Sequence, residues 1–520
     1  MEAVGQPAAS AQGVNPSGRA LVLVGFMGAG KSSTARMLAA ELGAQALDTD
    51  REIERELGES IADFFDREGE AAFRAREEEA VLRLLNDPRA RVVALGGGSL
   101  GSDRVREAVA RHVVVHLEVN PDEAWRRASN KGRPLARDQV RFEQLHRDRA
   151  ALYDSVAHAI LPAGDRNMPR RALAALDALR SAPEGTRLVW AMARSGDYPV
   201  FLGHGLAGSG FFHPRDGRRF AVTDGNVAAA GHAVDADGTI TIPAGETEKT
   251  LARAEEVLRE LARAGATRAD MVVAVGGGVV GDIAGFCAAI YQRGMRHVQV
   301  PTTLVAQVDS AYGGKTGVDL PEGKNYAGAY HQPSAVIVDP SVLASLPAAE
   351  AAAGYVEVVK TALIAGGPLW ARVRAGGEPD DEVILGCLRT KLAVVAEDER
   401  DSDRRQVLNL GHTVGHAIEA ATGYRRYRHG EAVGLGLLCA LRLSGREALR
   451  KEVSELLAAR GLPLELDGAA PDEVAALVSR DKKRTGDAVP FVLVEAPGQV
   501  TPGHEVDPSS VLAAIEEIAA

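Results

Sequence analysis

The chain has 520 residues, 46% hydrophobic and 25% charged, a composition that excludes a largely disordered or fibrous protein. A net charge of −11 excludes a dedicated nucleic-acid binder, and no apolar run approaches the roughly 18 residues that cross a bilayer. A reducing, cytoplasmic setting is indicated by three cysteines without a CxxC pair, which are Cys287, Cys387 and Cys439.

The hydrophobic pattern alternates strands and helices along the first two thirds of the chain and becomes mostly helical after about residue 340. Such alternation predicts an α/β fold with a parallel, doubly wound sheet. We expect a flexible tail without the features of a signal peptide, then a first α/β domain, a linker, a second α/β domain and an α-helical domain. Their predicted limits are 1–18, 19–180, 181–186, 187–340 and 341–520.

The first predicted strand, Ala20–Val24, runs directly into the glycine-rich segment GFMGAGKS at 25–32. This segment matches the phosphate-binding pattern GxxxxGK[ST], and a predicted helix follows it. In such a loop the backbone N–H groups face the phosphates, the lysine adds a point charge, and the first serine offers its hydroxyl to Mg²⁺. The predicted ATP- and Mg²⁺-binding residues are Gly28, Gly30, Lys31, Ser32 and Ser33.

Two acids and a second glycine loop are candidates for holding the phosphate acceptor. The run LDTD carries Asp48 and Asp50 at the end of a strand-like segment. Further strands of this domain are predicted at Val92–Leu95 and Val113–Val119. Strand alternation predicts that both carboxylates point to one side, where one serves the metal and the other acts as a base. The glycines of LGGGS at 95–99 permit a small ligand to approach the backbone closely.

Together these motifs resemble the shikimate kinases over about residues 20–165. The matching segments are GFMGAGKSS, LDTD, SIADFFDREGEAAFR, LGGGS, RPL at 133–135 and RDRAALY at 147–153. Gluconate and adenylate kinases share the loop and are the near alternatives. Two separated arginines, Arg74 and Arg149, favour an acceptor that carries a carboxylate, because guanidinium and carboxylate groups match in geometry.

The resemblance implies a role for each of these residues. Arg74 and Arg149 would grip the carboxylate of shikimate, with Gly97 and Asp50 also at the substrate. Asp50 would accept the proton of the attacking hydroxyl, and Arg133 would belong to a mobile lid over the ATP phosphates. The lid segment is RPLA, whereas the family usually has RPLL.

The second part of the chain begins with predicted strands at Leu188–Trp190, Val200–Leu202, Phe220–Thr223 and Met271–Val275. The last of them ends in GGGVVGD at 276–282, which does not meet the GxGxxG fingerprint but still offers a bare backbone to a pyrophosphate. PAGETEK at 243–249 and PTTL at 301–304 add candidate contacts to a dinucleotide.

Three histidines in the helical part have the spacing of a metal site. His412 and His416 are four residues apart on one predicted helical face, and His429 follows in HGE. Two such histidines with a distant histidine or an acid such as Glu357 are typical of zinc sites. An isolated HxxxH pair is more often a packed or surface pair, so the additional residues carry this interpretation.

Lysines are informative here because only ten of the 60 basic residues are lysines. Arginine cannot replace a compact ammonium group at a phosphate or an amine that must titrate. Several lysines lie beside Gly, Asn, Thr or apolar residues, which suits an anionic pocket that Arg293 and Arg405 could join. They are Lys315, Lys324, Lys360, Lys391 and the pair Lys482–Lys483.

A dinucleotide, a metal and many cations around one anionic substrate resemble the 3-dehydroquinate synthases over nearly all of 187–520. The densest match is 281–325, and the segments YVEVVKTALI, DERDSDRRQVLNLGHTVGHAIE and DKKRTGDAVPFVL continue it. The resemblance implies an α/β half that binds NAD and a helical half that binds the metal and substrate. The implied NAD-site residues are Asp224, Glu246, Lys249, Gly277, Gly278, Asp282, Thr302, Thr303, Lys315 and Lys324.

The same resemblance implies Zn²⁺ or Co²⁺ ligands at Glu357, His412 and His429. His416, Lys315 and Lys360 would then be catalytic. Arg293 would reach the phosphate of the substrate in its own or a neighbouring subunit's site. The implied substrate-binding residues are Arg293, Asp309, Lys315, Lys324, Asn325, Lys360, Lys391, Arg405 and Asn409.

The implied reaction converts 3-deoxy-D-arabino-heptulosonate 7-phosphate to 3-dehydroquinate and phosphate, with NAD⁺ reduced and regenerated within each turnover and the metal as a Lewis acid. Three departures from the family are Asp401 in place of a glutamate, Tyr312 in SAYGGKTG, and the segment YVEVV. If Asp401 is too short to reach its partner, we expect slower turnover.

The two resemblances therefore imply a bifunctional enzyme of aromatic amino acid biosynthesis that forms a homodimer through its synthase half, and we expect no nucleic-acid or membrane partners. The alternatives are that one half is a non-catalytic binding module, or that the second half is a related metal-dependent alcohol dehydrogenase. A dehydrogenase would release reduced NAD and would leave the lysine cluster without a role.

Overall fold

The structure is a computed structural model that describes residues 19–129, 138–165, 167–208, 211, 217–479 and 490–519. The chain divides into two compact units, Met1–Trp190 and Ala191–Ala520. Within the described residues, no helix combines the length and the apolar character that crossing a membrane requires.

The first unit contains a parallel sheet in the order β2-β3-β1-β4-β5-β6. Its central strand β1 is an unbroken apolar run that is buried along its whole length, as expected of a parallel sheet covered on both faces. The three strands predicted in this unit are confirmed. The strands are β1 (Leu21–Val24), β2 (Ala46–Asp48), β3 (Val92–Ala94), β4 (Val113–Glu118), β5 (Ala159–Pro162) and β6 (Arg187–Ala191).

The helices of the first unit are α1 (Lys31–Glu41), α2 (Thr49–Leu57), α3 (Ile61–Leu85), α4 (Asp103–Val109), α5 (Pro121–Ser129), α6 (Gln139–Val156), α7 (Met168–Arg171) and α8 (Leu173–Ala178). The prediction that strand alternation places Asp48 and Asp50 on one side is wrong. Strand β2 ends at Asp48, whose side chain accepts a hydrogen bond from Arg51 N at 3.4 Å and caps α2. Asp50 therefore lies in the first turn of a helix, and helix geometry, not strand alternation, sets its direction.

The second unit begins with a six-stranded parallel sheet in the order β7-β14-β11-β10-β8-β9. Two antiparallel hairpins, β12–β13 and β15–β16, stand apart from it. The strands are β7 (Tyr198–Leu202), β8 (Arg219–Asp224), β9 (Gly238–Ile242), β10 (Met271–Gly276), β11 (Arg296–Pro301), β12 (Lys315–Leu320), β13 (Gly323–Tyr330), β14 (Ala335–Val338), β15 (Pro490–Ala496) and β16 (Gln499–Glu505).

Helices dominate the second unit after residue 340, as the sequence predicts. Helix α15 packs against α16 and α18, and α12 packs against α14 and α16. The helices are α9 (Gly225–Ala229), α10 (Leu251–Arg263), α11 (Gly278–Ile290), α12 (Ala348–Ala365), α13 (Gly367–Arg374), α14 (Asp381–Glu397), α15 (His412–Ala421), α16 (His429–Leu443), α17 (Glu447–Ala458), α18 (Pro471–Val478) and α19 (Pro508–Glu516).

The division between the units lies a few residues beyond the predicted linker 181–186. Strand β6, predicted as the first strand of the second part, pairs with β5 through Leu188 and Val189. Its residues up to Trp190 therefore belong to the first compact unit. The domain limits stated above stay predictions.

Candidate active sites

The phosphate-binding loop lies where the chain reverses its direction across the first sheet. Strand β1 lies between β3 and β4, so the loop after β1 opens at a switch point at the carboxyl edge of the sheet. Gly28 has φ 86°, and a Cβ there would lie 3.0 Å from the carbonyl oxygen of Ala124. Lys31 Nζ donates a hydrogen bond to Gly25 O at 2.7 Å, so the ammonium group lies over the loop. Arg127, to which the sequence assigned no role, donates to Gly28 O at 3.0 Å.

Next to this loop, a cavity of about 590 Å³ brings together three of the four residues predicted to hold the acceptor. Its lining includes Arg74, Arg149 and Gly97. Arg149 Nη1 donates to Gly97 O at 3.0 Å, and Arg74 Nη1 lies 2.5 Å from Glu77 Oε2. Two guanidinium groups on one cavity form a suitable site for a small carboxylate.

Two acids flank the glycine loop after β3. A Cβ on Gly96 would lie 2.8 Å from Asp50 Oδ1 and would also meet the carboxylate of Glu77, which is 2% exposed. Glu77 accepts a hydrogen bond from Ser99 Oγ at 2.7 Å and pairs with Arg74. Glu77 is not among the predicted site residues, although its position three residues after Arg74 on α3 is a detectable signal.

Tyr153 is another lining residue that has no predicted role. Burial raises its pKa to about 12, so the phenol stays protonated and donates to Gly97 O at 2.6 Å. Arg133 of the expected lid and Lys131 lie outside the described residues.

In the second unit the dinucleotide candidates gather at the carboxyl ends of β8, β10 and β11. Strand β9 lies on one side of β8 and β10 on the other, so the chain also reverses its direction here. Gly277 leads into α11, and a Cβ on it would lie 2.9 Å from Thr303 Cγ2. The backbone of Gly277 therefore has no room for a side chain, as a cradle for a pyrophosphate requires.

Several predicted NAD-site residues contact one another. Lys249 Nζ lies 2.5 Å from Asp282 Oδ2. Burial alone would lower the pKa of Lys249, but the carboxylates of Asp282 and Glu246 outweigh burial and raise it. Asp224 caps α9 by accepting hydrogen bonds from Asn226 N and Val227 N, and Thr302 N donates to Gly276 O at 3.0 Å.

Three histidines and one buried glutamate converge between α12, α15 and α16. Nitrogen atoms of His412, His416 and His429 lie within 4.8 Å of one another. Glu357 Oε1 lies 3.7 Å from His412 Nε2 and 3.9 Å from His429 Nε2. Glu357 is 1% exposed, and within the described part of the chain its Oε1 makes no hydrogen bond. A buried carboxylate oxygen facing two imidazoles matches the donor set of a Zn²⁺ site.

The protonation state of His412 also suits a metal ligand. Burial lowers the pKa of His412 well below its usual range, and the ammonium of Lys360 acts in the same direction. The ring is therefore neutral at neutral pH, as a ligand must be. His416 is exposed, unlike Glu357.

A chain of paired charges surrounds this cluster. Lys360 Nζ lies 2.5 Å from Glu357 Oε2, and Lys391 Nζ lies 2.5 Å from Asp309 Oδ1. Burial alone would raise the pKa of Asp309, but Lys391 and Lys360 outweigh it and hold the pKa well below its usual range.

Glu419 joins the predicted residues, although it is not itself among them. Its carboxylate faces His429 Nδ1 at 3.3 Å and Lys324 Nζ at 2.9 Å. Burial alone would raise the pKa of Glu419, but His429 and Lys324 lower it to about 2. Its position seven residues after His412, on the same helical face, is the signal that could have revealed it.

The remaining predicted substrate residues differ in their surroundings. Arg405 is 1% exposed and donates to Glu399 O at 2.5 Å and to Gly313 O at 3.1 Å. Asn325 has φ 56° and donates its backbone N–H to Asp319 Oδ1 at 2.7 Å. Asn409 ends a short 3₁₀ helix, and Arg293 has φ 69°. Lys482 and Lys483 lie outside the described residues.

Two of the departures from the family pattern are accommodated. Asp401 reaches its partner, with Oδ2 2.5 Å from Lys315 Nζ, and has φ 61°. Aspartate adopts this left-handed conformation more readily than most residues. Tyr312 is buried and donates its hydroxyl to Gln307 O at 2.6 Å.

The fold and these sites define two classes of enzyme in one chain, a P-loop phosphotransferase and a dinucleotide- and metal-dependent synthase. The family models of shikimate kinase, the 3-dehydroquinate synthase N-terminal part and its C-terminal part match residues 27–180, 239–353 and 354–484. The chain belongs to the 3-dehydroquinate synthase family and carries a shikimate kinase domain before the synthase part.

Relatives and solved structures agree with this assignment. The 3-dehydroquinate synthase of Symbiobacterium thermophilum is 41% identical over 350 residues, which span 62% of this chain and 98% of that protein. The one of Mesorhizobium japonicum is 42% identical over 353 residues, 62% of this chain and 93% of that protein.

Among solved structures, a 2-deoxy-scyllo-inosose synthase complexed with carbaglucose-6-phosphate, NAD⁺ and Co²⁺ is 26% identical, with a TM-score of 0.57 over 64% of this chain and 99% of that one. The 2-epi-5-epi-valiolone synthase of Streptomyces hygroscopicus, with NAD⁺ and Zn²⁺ bound, is 25% identical with the same TM-score of 0.57, over 63% of this chain and 98% of that one. The predicted family, fold class and pair of enzyme classes are confirmed, and the alternatives of a binding module or a dehydrogenase are not favoured.

Proposed function

We propose that this chain phosphorylates shikimate with ATP and also converts 3-deoxy-D-arabino-heptulosonate 7-phosphate to 3-dehydroquinate and phosphate. The convergence of Glu357, His412 and His429 beside buried lysines and a glycine cradle carries the second assignment. Arg74 and Arg149 on a cavity beside the P-loop support the first. Both belong to the biosynthesis of aromatic amino acids.

In the kinase unit, Lys31 and the N–H groups of the P-loop hold the ATP phosphates, and Ser32 offers its hydroxyl to Mg²⁺. Arg74 and Arg149 bind the carboxylate of shikimate, which orients the ring. Asp50 then lies beside the attacking hydroxyl and accepts its proton. These residues act mainly by positioning and by stabilising charge, as phosphoryl transfer requires.

In the synthase unit, Glu357, His412 and His429 are the proposed ligands of Zn²⁺ or Co²⁺, and the Gly277 cradle holds the pyrophosphate of NAD. Bound NAD⁺ and metal supply a reversible hydride transfer and a Lewis acid. We assign the ligand position to Glu357 and not to His416, because Glu357 Oε1 is buried, faces both other ligand imidazoles and makes no hydrogen bond within the described residues, whereas His416 is exposed.

The lysines and acids around the metal position hold the substrate and move its protons. Lys360 and Lys391 bind its anionic groups from the buried side, and Asp309 keeps the ammonium of Lys391 in place. His416 lies at the open side of the cluster, where its imidazole exchanges a proton with the substrate. Lys315, which lies on the hairpin β12–β13 and pairs with Asp401, is a further proposed catalytic lysine.

Three further parts of the proposal concern the surroundings of the enzyme. The chain forms a homodimer through its synthase half, and Arg293 reaches the phosphate of the substrate in its own or the neighbouring subunit's site. It acts in the cytoplasm on small molecules. It binds neither nucleic acid nor membranes.

The two activities are separable by single substitutions in the full chain. Lys31→Met lowers shikimate-dependent ADP formation by at least about 100-fold and leaves phosphate release from the heptulosonate unchanged. Glu357→Gln loses the metal and phosphate release from the heptulosonate, whereas its shikimate-dependent ADP formation is unchanged. His416→Ala keeps the metal but loses phosphate release from the heptulosonate. Coupled assays and metal analysis measure these effects. Loss of both activities from either variant, or metal loss from His416→Ala alone, would contradict these assignments.

A further inference from the structure

Glu419 on α15 is a buried carboxylate that lies between two parts of the synthase site. It is 2% exposed, and its oxygens lie 3.3 and 3.4 Å from His429 Nδ1. Oε1 also accepts a hydrogen bond from Lys324 Nζ at 2.9 Å. A buried charge is costly unless it is paired, so these two contacts account for its presence in the interior.

The contact with His429 determines which ring nitrogen is available. When Nδ1 carries the proton and donates it to Glu419, the lone pair of Nε2 remains free, and Nε2 faces Glu357 Oε1. His412 is oriented in the same way, because its Nδ1 lies 3.2 Å from the carbonyl oxygen of Leu410. A charged acceptor such as Glu419 orients a ligand histidine and also makes it more basic.

The contact with Lys324 extends towards the nucleotide residues. Lys324 lies on β13, and its Nζ is also 3.2 Å from Glu246 Oε1, which follows β9. The same ammonium lies 5.1 Å from the centre of the Tyr424 ring. One carboxylate therefore holds a histidine of the metal cluster and a lysine that borders the predicted NAD contacts.

We propose that Glu419 is a positioning residue that fixes His429 in the orientation and tautomer needed to bind the metal. The same carboxylate also holds Lys324, which borders the predicted NAD contacts. The proposal rests on the ligand set given under the proposed function. It predicts that Glu419 controls metal affinity through His429 and not through Lys324.

The test compares metal affinity in the full chain and its variants by competition with a chromogenic chelator, together with the visible spectrum of the Co²⁺-loaded protein. Glu419→Gln keeps the size of the side chain but removes its charge, and its single amide oxygen must accept from both Lys324 and His429. We expect metal affinity to fall about 10- to 100-fold and the Co²⁺ spectrum to change. Lys324→Met should keep metal affinity within about threefold of the parent, because it leaves the carboxylate beside His429.

Controls separate the proposal from general damage. Glu431→Gln changes a carboxylate two residues from His429 that caps α16 and pairs with Arg428, so it should bind metal like the parent. Glu419→Asp retains the charge and should fall between the parent and Glu419→Gln. If Glu419→Gln fails to fold, as judged by thermal unfolding without metal, Glu419→Asp supplies the comparison.

Parent-like affinity and an unchanged Co²⁺ spectrum in Glu419→Gln, or in Glu419→Asp where only that variant folds, would overturn the proposal. An equal loss of affinity in Lys324→Met or Glu431→Gln would also overturn it. A parent chain that binds no metal, or an unaltered affinity in Glu357→Gln, would refute the proposed ligand set itself.

Discussion

At the scale of single residues, the lysines of the synthase site already have carboxylate partners before any substrate enters. Lys360 pairs with Glu357, Lys391 with Asp309 and Lys324 with Glu419. An ammonium group has three donors, so each lysine can keep its carboxylate and still bind a substrate oxygen. The paired acids hold the lysines in place. At Lys360 and Lys324 the carboxylates outweigh burial and raise the pKa, whereas at Lys391 burial outweighs Asp309 and the pKa lies below its usual range.

The pair Lys315–Asp401 gives a prediction for the synthase reaction. Asp401→Asn removes the negative charge 2.5 Å from Lys315 Nζ, and we expect kcat to fall about tenfold. Asp401→Glu should not exceed the parent, because aspartate already reaches the lysine and glutamate tolerates φ 61° less well. Steady-state phosphate release measures both, with the kinase rate of the same chain as an internal control. A clearly faster Asp401→Glu would contradict this account.

Gly98 gives a prediction for the kinase reaction. A Cβ at Gly98 would lie 2.7 Å from Arg74 Cζ, so Gly98→Ala must displace the guanidinium. We expect the KM for shikimate to rise about tenfold, the effect of weakening one charge-assisted hydrogen bond, with the KM for ATP unchanged. Gly101→Ala is the matched control, because a Cβ there meets no atom within 4 Å. Equal KM values in the two variants would refute the role given to Arg74.

The sequence predicts residues within motifs better than contacts between distant residues. Lys31 and the GGG run follow from local patterns, because a phosphate loop needs particular residue types at fixed spacing. The contact between Glu419 and Lys324 joins residues 95 positions apart and depends on packing. Asp50 lies beside the glycine loop after β3, but strand alternation does not place it there, since the N-cap at Asp48 starts a helix at Thr49, two residues before the predicted strand would end.

At the scale of elements, one acid organises the turn that carries Asp401 and Arg405. Asp398 accepts hydrogen bonds from the backbone N–H groups of Arg400, Ser402, Asp403 and Arg405 and from the Ser402 hydroxyl, at 2.7–3.2 Å. Burial alone would raise the pKa of Asp398, but these donors outweigh it and hold the pKa well below its usual range. No local pattern predicts this turn, because its donors are backbone groups.

This turn predicts a pH-dependent loss of stability. Asp398→Asn replaces one acceptor oxygen with a donor, so we expect the synthase part to lose about 1–3 kcal/mol at pH 7. Because the folded pKa lies below the unfolded value of about 3.9, the stability from the carboxylate is present above that pH and is lost as the pH falls below it. Calorimetry at pH 7 and in steps below pH 4 should show that the difference in the free energy of unfolding between parent and variant decreases as the pH falls. Asp403→Asn, which changes an exposed residue of the same turn, should have the same free energy of unfolding as the parent.

Sheet topology could be predicted in outline only. The buried strands of both parallel sheets follow from apolar runs, whereas the hairpin β12–β13 that carries Lys315, Lys324 and Asn325 was read only as a motif. The hairpin contains many glycines and polar residues, and no residue of β13 is fully buried, so hydrophobic periodicity gives little signal there.

At the scale of the whole molecule, each unit follows the same physical rule. In both, the ligand-binding loops lie at the carboxyl edge of a parallel sheet where the strand order reverses. The two reactions are not consecutive in the shikimate pathway, so the fusion by itself does not imply transfer of an intermediate from one site to the other.

The most direct test of the central claim is phosphate release from 3-deoxy-D-arabino-heptulosonate 7-phosphate by the full chain, with absorbance at 340 nm followed in parallel. We expect release that stops after metal removal, returns when Zn²⁺ or Co²⁺ is restored, and proceeds without accumulation of NADH. Folded, metal-loaded, NAD-supplied protein that releases no phosphate, or that accumulates NADH instead, would contradict the assignment of the synthase part.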